Sequence, residues 1–138
     1  MNQNIAAQVA RLLNTQNQLT RQYDATHILN HAERYIIRVN DKEELQGCIE
    51  VKKVQWYQCE IDHLSVHPDA LRKGLGTDLL LEAESKAKKL GACVAQCTIR
   101  VGNIKSEGLF KKNGYVATVT FINERNKNQV TVYQKVLS

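Results

Sequence analysis

The sequence predicts a mixed α/β fold. The chain starts with an amphipathic helical stretch, its middle and end are rich in β-like segments, and one passage runs strand, glycine loop, helix, strand. A strand–helix–strand succession, here Gln58 to Val101, makes a right-handed crossover between parallel strands. The segments before and after it read as antiparallel, so the sheet is mixed. The 138 residues, 43% hydrophobic and 24% charged, fit a single domain spanning 1–138 with a real core.

The first helix is expected from about Asn4 to Gln16, where Ile5, Val9, Leu12 and Leu13 recur on one face. A short second helix is expected at Ala25–His31, capped by Asp24 or Thr26, with Ile28, Leu29 and Ala32 turned inward. Arg34–Val39 and Leu45–Val54 are β-like around the polar turn Asn40-Asp41-Lys42-Glu43. Gln58–Val66 is the next strand and ends at Pro68, the single proline. Thr77–Leu90 is the most regular helix. Leu79, Leu80, Ala83, Ala87 and Leu90 form its stripe, and Gly91 stands at its C-terminal stop. Cys93–Val101 reads as a buried strand. Asn103–Asn113 reads as a short helix with Asn103 as cap and Gly114 as stop. Tyr115–Ile122 and Val130–Leu137 close the chain as a hairpin.

Composition narrows the class. No apolar run is long enough to span a membrane. The start, Met1-Asn2-Gln3-Asn4, lacks the basic and apolar segments of a secretory signal, so the cytoplasm is the expected compartment. Cys48, Cys59, Cys93 and Cys97 all fall in strand-like stretches and read as reduced, buried thiols. No Cys-x-x-Cys occurs, and residues four apart on a strand are about 13 Å apart, so no metal site is expected. Residues 51–138 carry fourteen basic and eight acidic groups, hence +6 of the net +5, against −1 for residues 1–50. A polyphosphate cofactor, an acidic partner or a nucleic acid could use that excess. No recognition-helix or RNA-binding aromatic pattern accompanies it, which argues against nucleic acid.

The most informative stretch is Leu64-Ser65-Val66-His67-Pro68-Asp69-Ala70-Leu71-Arg72-Lys73-Gly74-Leu75-Gly76-Thr77. A strand ends, a basic glycine loop follows, and a helix begins at once. Helix-start N–H groups lack intrahelical partners and carry partial positive charge, and glycine admits an anion close to the backbone. A P-loop is excluded because Thr77 follows Gly76 without a lysine. A dinucleotide fingerprint is excluded because Leu79 stands at its third glycine.

This stretch resembles the strand, Val-x-Pro corner and Arg/Gln-x-x-Gly-x-Gly/Ala loop of the GNAT superfamily of acetyl-CoA-dependent N-acetyltransferases. A second stretch, Asn103-x-x-Ser106-x-x-Leu109-Phe110-Lys111-Lys112-Asn113-Gly114-Tyr115, resembles that family's Asn-x-x-Ala-x-x-Leu-Tyr-Glu-Lys-x-Gly-Phe helix. The resemblance implies a central twisted sheet with helices on both faces, and acetyl-CoA as cofactor. By it, the backbone of Leu64, Ser65 and Val66 bonds the pantetheine arm. Leu71, Arg72, Lys73, Gly74, Leu75, Gly76 and Thr77 hold the pyrophosphate. Asn103, Ser106, Phe110 and Lys112, with Lys105 less directly, meet the rest of the cofactor. The acceptor it implies is an amine on a small molecule, peptide or protein.

Three positions depart from the family pattern. Leu71 replaces the usual Arg/Gln, with Arg72 or Lys73 beside it to restore charge. Phe110 replaces the usual proton-donating tyrosine and has no proton to give; Ser106, Tyr115 or a water are the alternatives. The family's first strand is missing before the first helix, leaving a sheet edge that a second copy could cover. Leu71 and Phe110 together also motivate a different reading, a coenzyme A-binding module with little catalysis.

Amine attack on a thioester needs a neutral amine, and amines with pKa about 10 are mostly protonated at neutral pH. Glu60 and Asp62, two apart on one strand face, are the candidate bases. Glu60 lies eleven residues before Leu71, a spacing similar to that of the glutamate base in the family's histone-acetylating branch. Either carboxylate could instead serve as a salt-bridge partner. His63 faces the other way and reads as structural or surface, Cys97 offers a covalent route only if its thiol is activated, and Trp56 and Tyr57 are expected in the core, with lining of the acceptor mouth as the alternative.

Overall fold

The structure, a computed structural model, describes residues 1–16, 22–71 and 74–138. Its order is α1 (Gln3–Gln16), α2 (Ala25–Asn30), β1 (Tyr35–Val39), β2 (Leu45–Gln55), β3 (Gln58–Val66), α3 (Leu75–Lys89), β4 (Val94–Arg100), α4 (Ile104–Lys112), β5 (Val116–Ile122) and β6 (Gln129–Val136). The six strands lie in the order β1-β2-β3-β4-β6-β5. β1 pairs antiparallel with β2, β3 parallel with β4, and β6 antiparallel with both β4 and β5. The fold is therefore the expected mixed α/β arrangement, with the parallel pair at the crossover. Among the described residues, no helix is long and apolar enough to cross a membrane.

The chain resolves into two compact units, one of Met1–Val51 with His63–Ala83 and one of Lys52–Asp62 with Glu84–Ser138. In the first, α1 begins where the Asn2 side chain accepts the Ile5 N–H at 2.8 Å, and α2 where Asp24 accepts the His27 N–H at 2.8 Å, both N-caps. Ile5, Ala6, Val9, Ala10, Leu12, Leu13 and Ile28 form a core with Tyr35, Leu45 and Cys48. Gly47 of β2 lies under the start of α3. A Cβ there would stand 3.0 Å from Leu79 Cδ1, 3.1 Å from the Ser65 carbonyl and 3.2 Å from Leu75 Cδ2. A side chain at position 47 would press on both leucines and on the Ser65 carbonyl, each of which would have to give by a few tenths of an ångström.

In the second unit, burial alternates along the strands. Cys59, Ile61, Ala95, Cys97, Ile99 and Tyr133 are buried, whereas Glu60, Asp62, Gln96, Arg100 and Gln134 are half-buried and Thr98 is exposed on the alternate positions. Phe110 and Tyr115, both buried, stack edge to face at 5.0 Å.

Several expectations need correction. Helix α3 starts at Leu75, two residues before Thr77, because Gly74 (φ +73°) makes the turn that admits it. Leu90 lies past the helix end and is 39% exposed. Leu29 and Ala32 are only half-buried, since α2 is a single short helix packed through Ile28. Cys93 precedes β4 and is exposed, unlike the other three free cysteines. Trp56 and Tyr57 form the two-residue turn between β2 and β3, which leaves Trp56 78% exposed and Tyr57 half-buried.

Candidate active site

Leu64, Ser65 and Val66 end β3, with Ser65 buried and its neighbours half-buried. The His67 N–H donates to the Gln46 carbonyl at 2.7 Å. Peptide groups alternate sides along a strand, so those of Val66 point away from β2. The Val66 carbonyl accepts from Gln16 Nε2 at 2.9 Å. A side-chain amide from off the sheet therefore reaches it, and an amide of a bound chain could do the same. The corner that follows is a 3-10 turn, Pro68–Ala70, capped where His67 Nδ1 accepts the Asp69 N–H at 3.1 Å. Leu71 is exposed, and its N–H turns back to the Pro68 carbonyl at 3.4 Å. Arg72 and Lys73 lie outside the described residues.

Gly74 is exposed, and a Cβ on it would meet nothing within 4 Å. Glycine is set there by the positive φ and the open approach, not by packing. The first α3 bond runs from the Asp78 N–H to the Gly74 carbonyl at 3.1 Å. Leu75, Gly76 and Thr77 form the first turn of α3, where helix-start N–H groups point out of the N-terminus. A helix start behind an exposed glycine, and a strand-end carbonyl that takes an amide donor, are features that suit the pyrophosphate and pantetheine of the implied cofactor.

The carboxylates belong to the second unit. Glu60 Oε2 accepts from Gln96 Nε2 at 3.4 Å, and Gln96 Oε1 in turn accepts from Gln134 Nε2 at 2.6 Å. Burial pushes the Glu60 carboxyl up to about 7, Asp62 adds to the rise, and Gln96 and Lys52 oppose it. A carboxylate poised near neutrality suits a general base. Asp62 is ion-paired with Lys52 Nζ at 3.3 Å. Burial, then Glu60 and Asp62, push the Cys97 thiol well above its ordinary value, which disfavours the thiolate a covalent route needs. His63 has φ +55°, and its Nε2 lies 3.0 Å from the Tyr23 hydroxyl and 3.7 Å from Glu50, consistent with a structural role.

Asn103 caps α4, its Oδ1 accepting the Ser106 N–H at 3.4 Å. The cap engages that oxygen, and the Asn103 Nδ2 group remains as a donor for a ligand. Ser106 is half-buried in the first turn, Phe110 is buried, and Lys112 is exposed in the last turn. The Tyr115 hydroxyl donates to Glu84 Oε2 at 2.9 Å, while Lys135 Nζ holds Glu84 Oε1 at 2.9 Å. Burial and Glu84 push the Tyr115 phenol far up. Its proton is committed to Glu84, so Tyr115 is a poor proton source.

Sequence reasoning missed Gly47, Gln96, Gln134 and Glu84. A glycine within an apolar strand signals close backbone approach, and Glu84 interrupts an apolar helix stripe. Gln96 and Gln134 carry no such signal.

A model of the acetyltransferase (GNAT) family matches residues 6–115. No curated protein matches the chain. Among solved structures, Ard1 from Thermoplasma volcanium has a TM-score of 0.85 at 19% identity, covering 100% of this chain and 95% of its own. The yncA protein from Salmonella typhimurium, solved with its cofactor acetyl-CoA, has a TM-score of 0.83 at 20% identity, with coverages of 100% and 91%. A spermidine N-acetyltransferase from Vibrio cholerae has a TM-score of 0.80 at 15% identity, with coverages of 100% and 93%. At these identities the likeness is one of fold.

Proposed function

The chain belongs to the acetyltransferase (GNAT) family, whose cofactor is acetyl-CoA, and on that premise we propose that it moves an acetyl group to a primary amine by direct attack in a ternary complex. The carrying observation is Glu60, a half-buried carboxylate held near neutrality and bonded to Gln96. The acceptor is a primary amine on a small molecule, peptide or protein. Residues 1–138 act as one domain, and the free thiols suit a reducing cytoplasm.

Acetyl-CoA supplies an activated thioester acyl group. The backbone of Leu64, Ser65 and Val66 takes the pantetheine amides, with Gln16 yielding the Val66 carbonyl. The N–H groups from Gly74 to Thr77 would hold the pyrophosphate, and Leu71, Arg72 and Lys73 are the other loop residues assigned to it by the resemblance. Asn103, Ser106, Phe110 and Lys112 meet the rest of the cofactor. Glu60 accepts the proton of the incoming ammonium, directly or through water, while Asp62, neutralised by Lys52, stays a field-setting partner. Phe110 has no proton and that of Tyr115 is held by Glu84, so the Ser106 hydroxyl or water serves the leaving group.

The test is mass spectrometry of amine and peptide panels incubated with acetyl-CoA. Acetylated product that falls sharply with Glu60→Gln, at unchanged cofactor affinity by calorimetry, is expected. The Phe110 and Leu71 departures favour the second reading, a coenzyme A-binding module. Tight cofactor binding with no product across the panels would select it.

A further inference from the structure

We infer that Gln96 and Gln134 are positioning residues that bias Glu60 toward its ionised form; the inference deepens the proposed role of Glu60 and rests on it. The strand register sets Glu60 beside Gln96 and Gln96 beside Gln134, across β3, β4 and β6. Their side chains make a directed chain: Gln134 Nε2 donates to Gln96 Oε1 at 2.6 Å, and Gln96 Nε2 donates to Glu60 Oε2 at 3.4 Å.

Direction is the point of this chain. A primary amide has an acceptor end and a donor end. Gln134 engages the acceptor end of Gln96, so the donor end must face Glu60. Turned around, Gln96 would set its oxygen against the carboxylate, and the Gln134 donor would meet the Gln96 nitrogen. An N–H donor facing Glu60 bonds the ionised carboxylate more strongly than the protonated carboxyl, and so favours the charged form.

The other groups around Glu60 pull both ways. Asp62 on β3 disfavours its charge, Lys52 on β2 favours it, and Cys97 on β4 stays a neutral thiol whose ionisation Glu60 itself opposes. Only Gln96 binds the carboxylate among the described hydrogen bonds, and Gln134 fixes which end of Gln96 does so.

The experiment is a carboxyl-carbon NMR titration of the full chain labelled at glutamate, with Glu60 assigned from Glu60→Gln. The variants are Gln96→Leu, Gln134→Leu and Gln134→Glu. Losing the donor should raise the Glu60 midpoint by about half to one pH unit and cut kcat/KM near pH 7 roughly two- to five-fold. KM for acetyl-CoA should stay unchanged. Gln134→Glu should raise the midpoint further, because an ionised glutamate can only accept and so turns the Gln96 amide around. It also serves if the leucine variant does not fold. An unchanged midpoint in Gln96→Leu and in the folded Gln134 variants overturns the inference. A raised midpoint in an enzyme whose Glu60→Gln variant keeps the wild-type pH profile supports the inference and removes Glu60 as the base instead.

Discussion

Glu60 and Tyr115 show how burial divides similar-looking candidates. Glu60 is half-buried, near neutrality, and meets a neutral amide. Its kcat/KM should therefore rise with pH through about 7, and Glu60→Gln should abolish that rise, leaving only the ascent due to the amine itself. The same residue has a stability signature. Its folded carboxyl titrates at about 7 against an ordinary 4.5, so between those values the folded chain binds more protons than the unfolded one. Stability is lost as pH rises through that window. Glu60→Gln should consequently melt above the wild type at pH 8 and converge with it below pH about 4.5; melting curves across pH check this. Tyr115→Phe keeps the ring on Phe110 but strips one donor from the buried Glu84 carboxylate, leaving Lys135. A loss of about 1–3 kcal/mol in chemical denaturation is expected, with turnover per folded molecule unchanged. A fall in turnover that outruns the loss of folded protein would restore Tyr115 as a proton donor.

At the scale of elements, much of the fold was legible because periodicity reports burial. The buried residues Leu79, Leu80, Ala83 and Ala87 of α3 and the Asn103 cap stand where pattern and capping chemistry put them. Boundaries slipped where a short turn decides them. Leu90 fits the α3 repeat yet follows its end, and Trp56 is apolar but occupies a turn that holds it out in solvent. The Gln96–Gln134 row was illegible for another reason: polar residues at alternate strand positions announce only an open face, and their pairing depends on a strand order the sequence does not state. Gly47 was readable in principle. Because α3 starts directly over it, Gly47→Ala should cost about 1–3 kcal/mol through overpacking and displace the first α3 turn, weakening acetyl-CoA binding more than bulk stability. Calorimetry at a temperature where the variant stays folded separates the two. An unchanged affinity would mean that the helix start is not the anion seat.

For the whole molecule, the charge distribution and the family match bear on the same region. Residues 51–138 carry the basic excess, and the family model spans residues 6–115, which include both the glycine loop and the Asn103 helix. A ligand that binds only the folded chain stabilises it by mass action. At a hundred-fold excess over its dissociation constant, acetyl-CoA should add about 2.7 kcal/mol and raise the melting temperature by roughly 9 °C for a chain of this size. Gly74→Glu brings a side chain and a negative charge to the open position where α3 begins, in a backbone conformation that disfavours side chains. It should abolish the shift and lower the unliganded melting temperature only modestly. Adenosine 3′,5′-bisphosphate, which lacks the pantetheine arm, should give a smaller shift that fades with added salt, because its binding rests on charge. An undiminished acetyl-CoA shift in Gly74→Glu would mean that the cofactor is held elsewhere, and the roles assigned from Leu71 to Thr77 would fall with it.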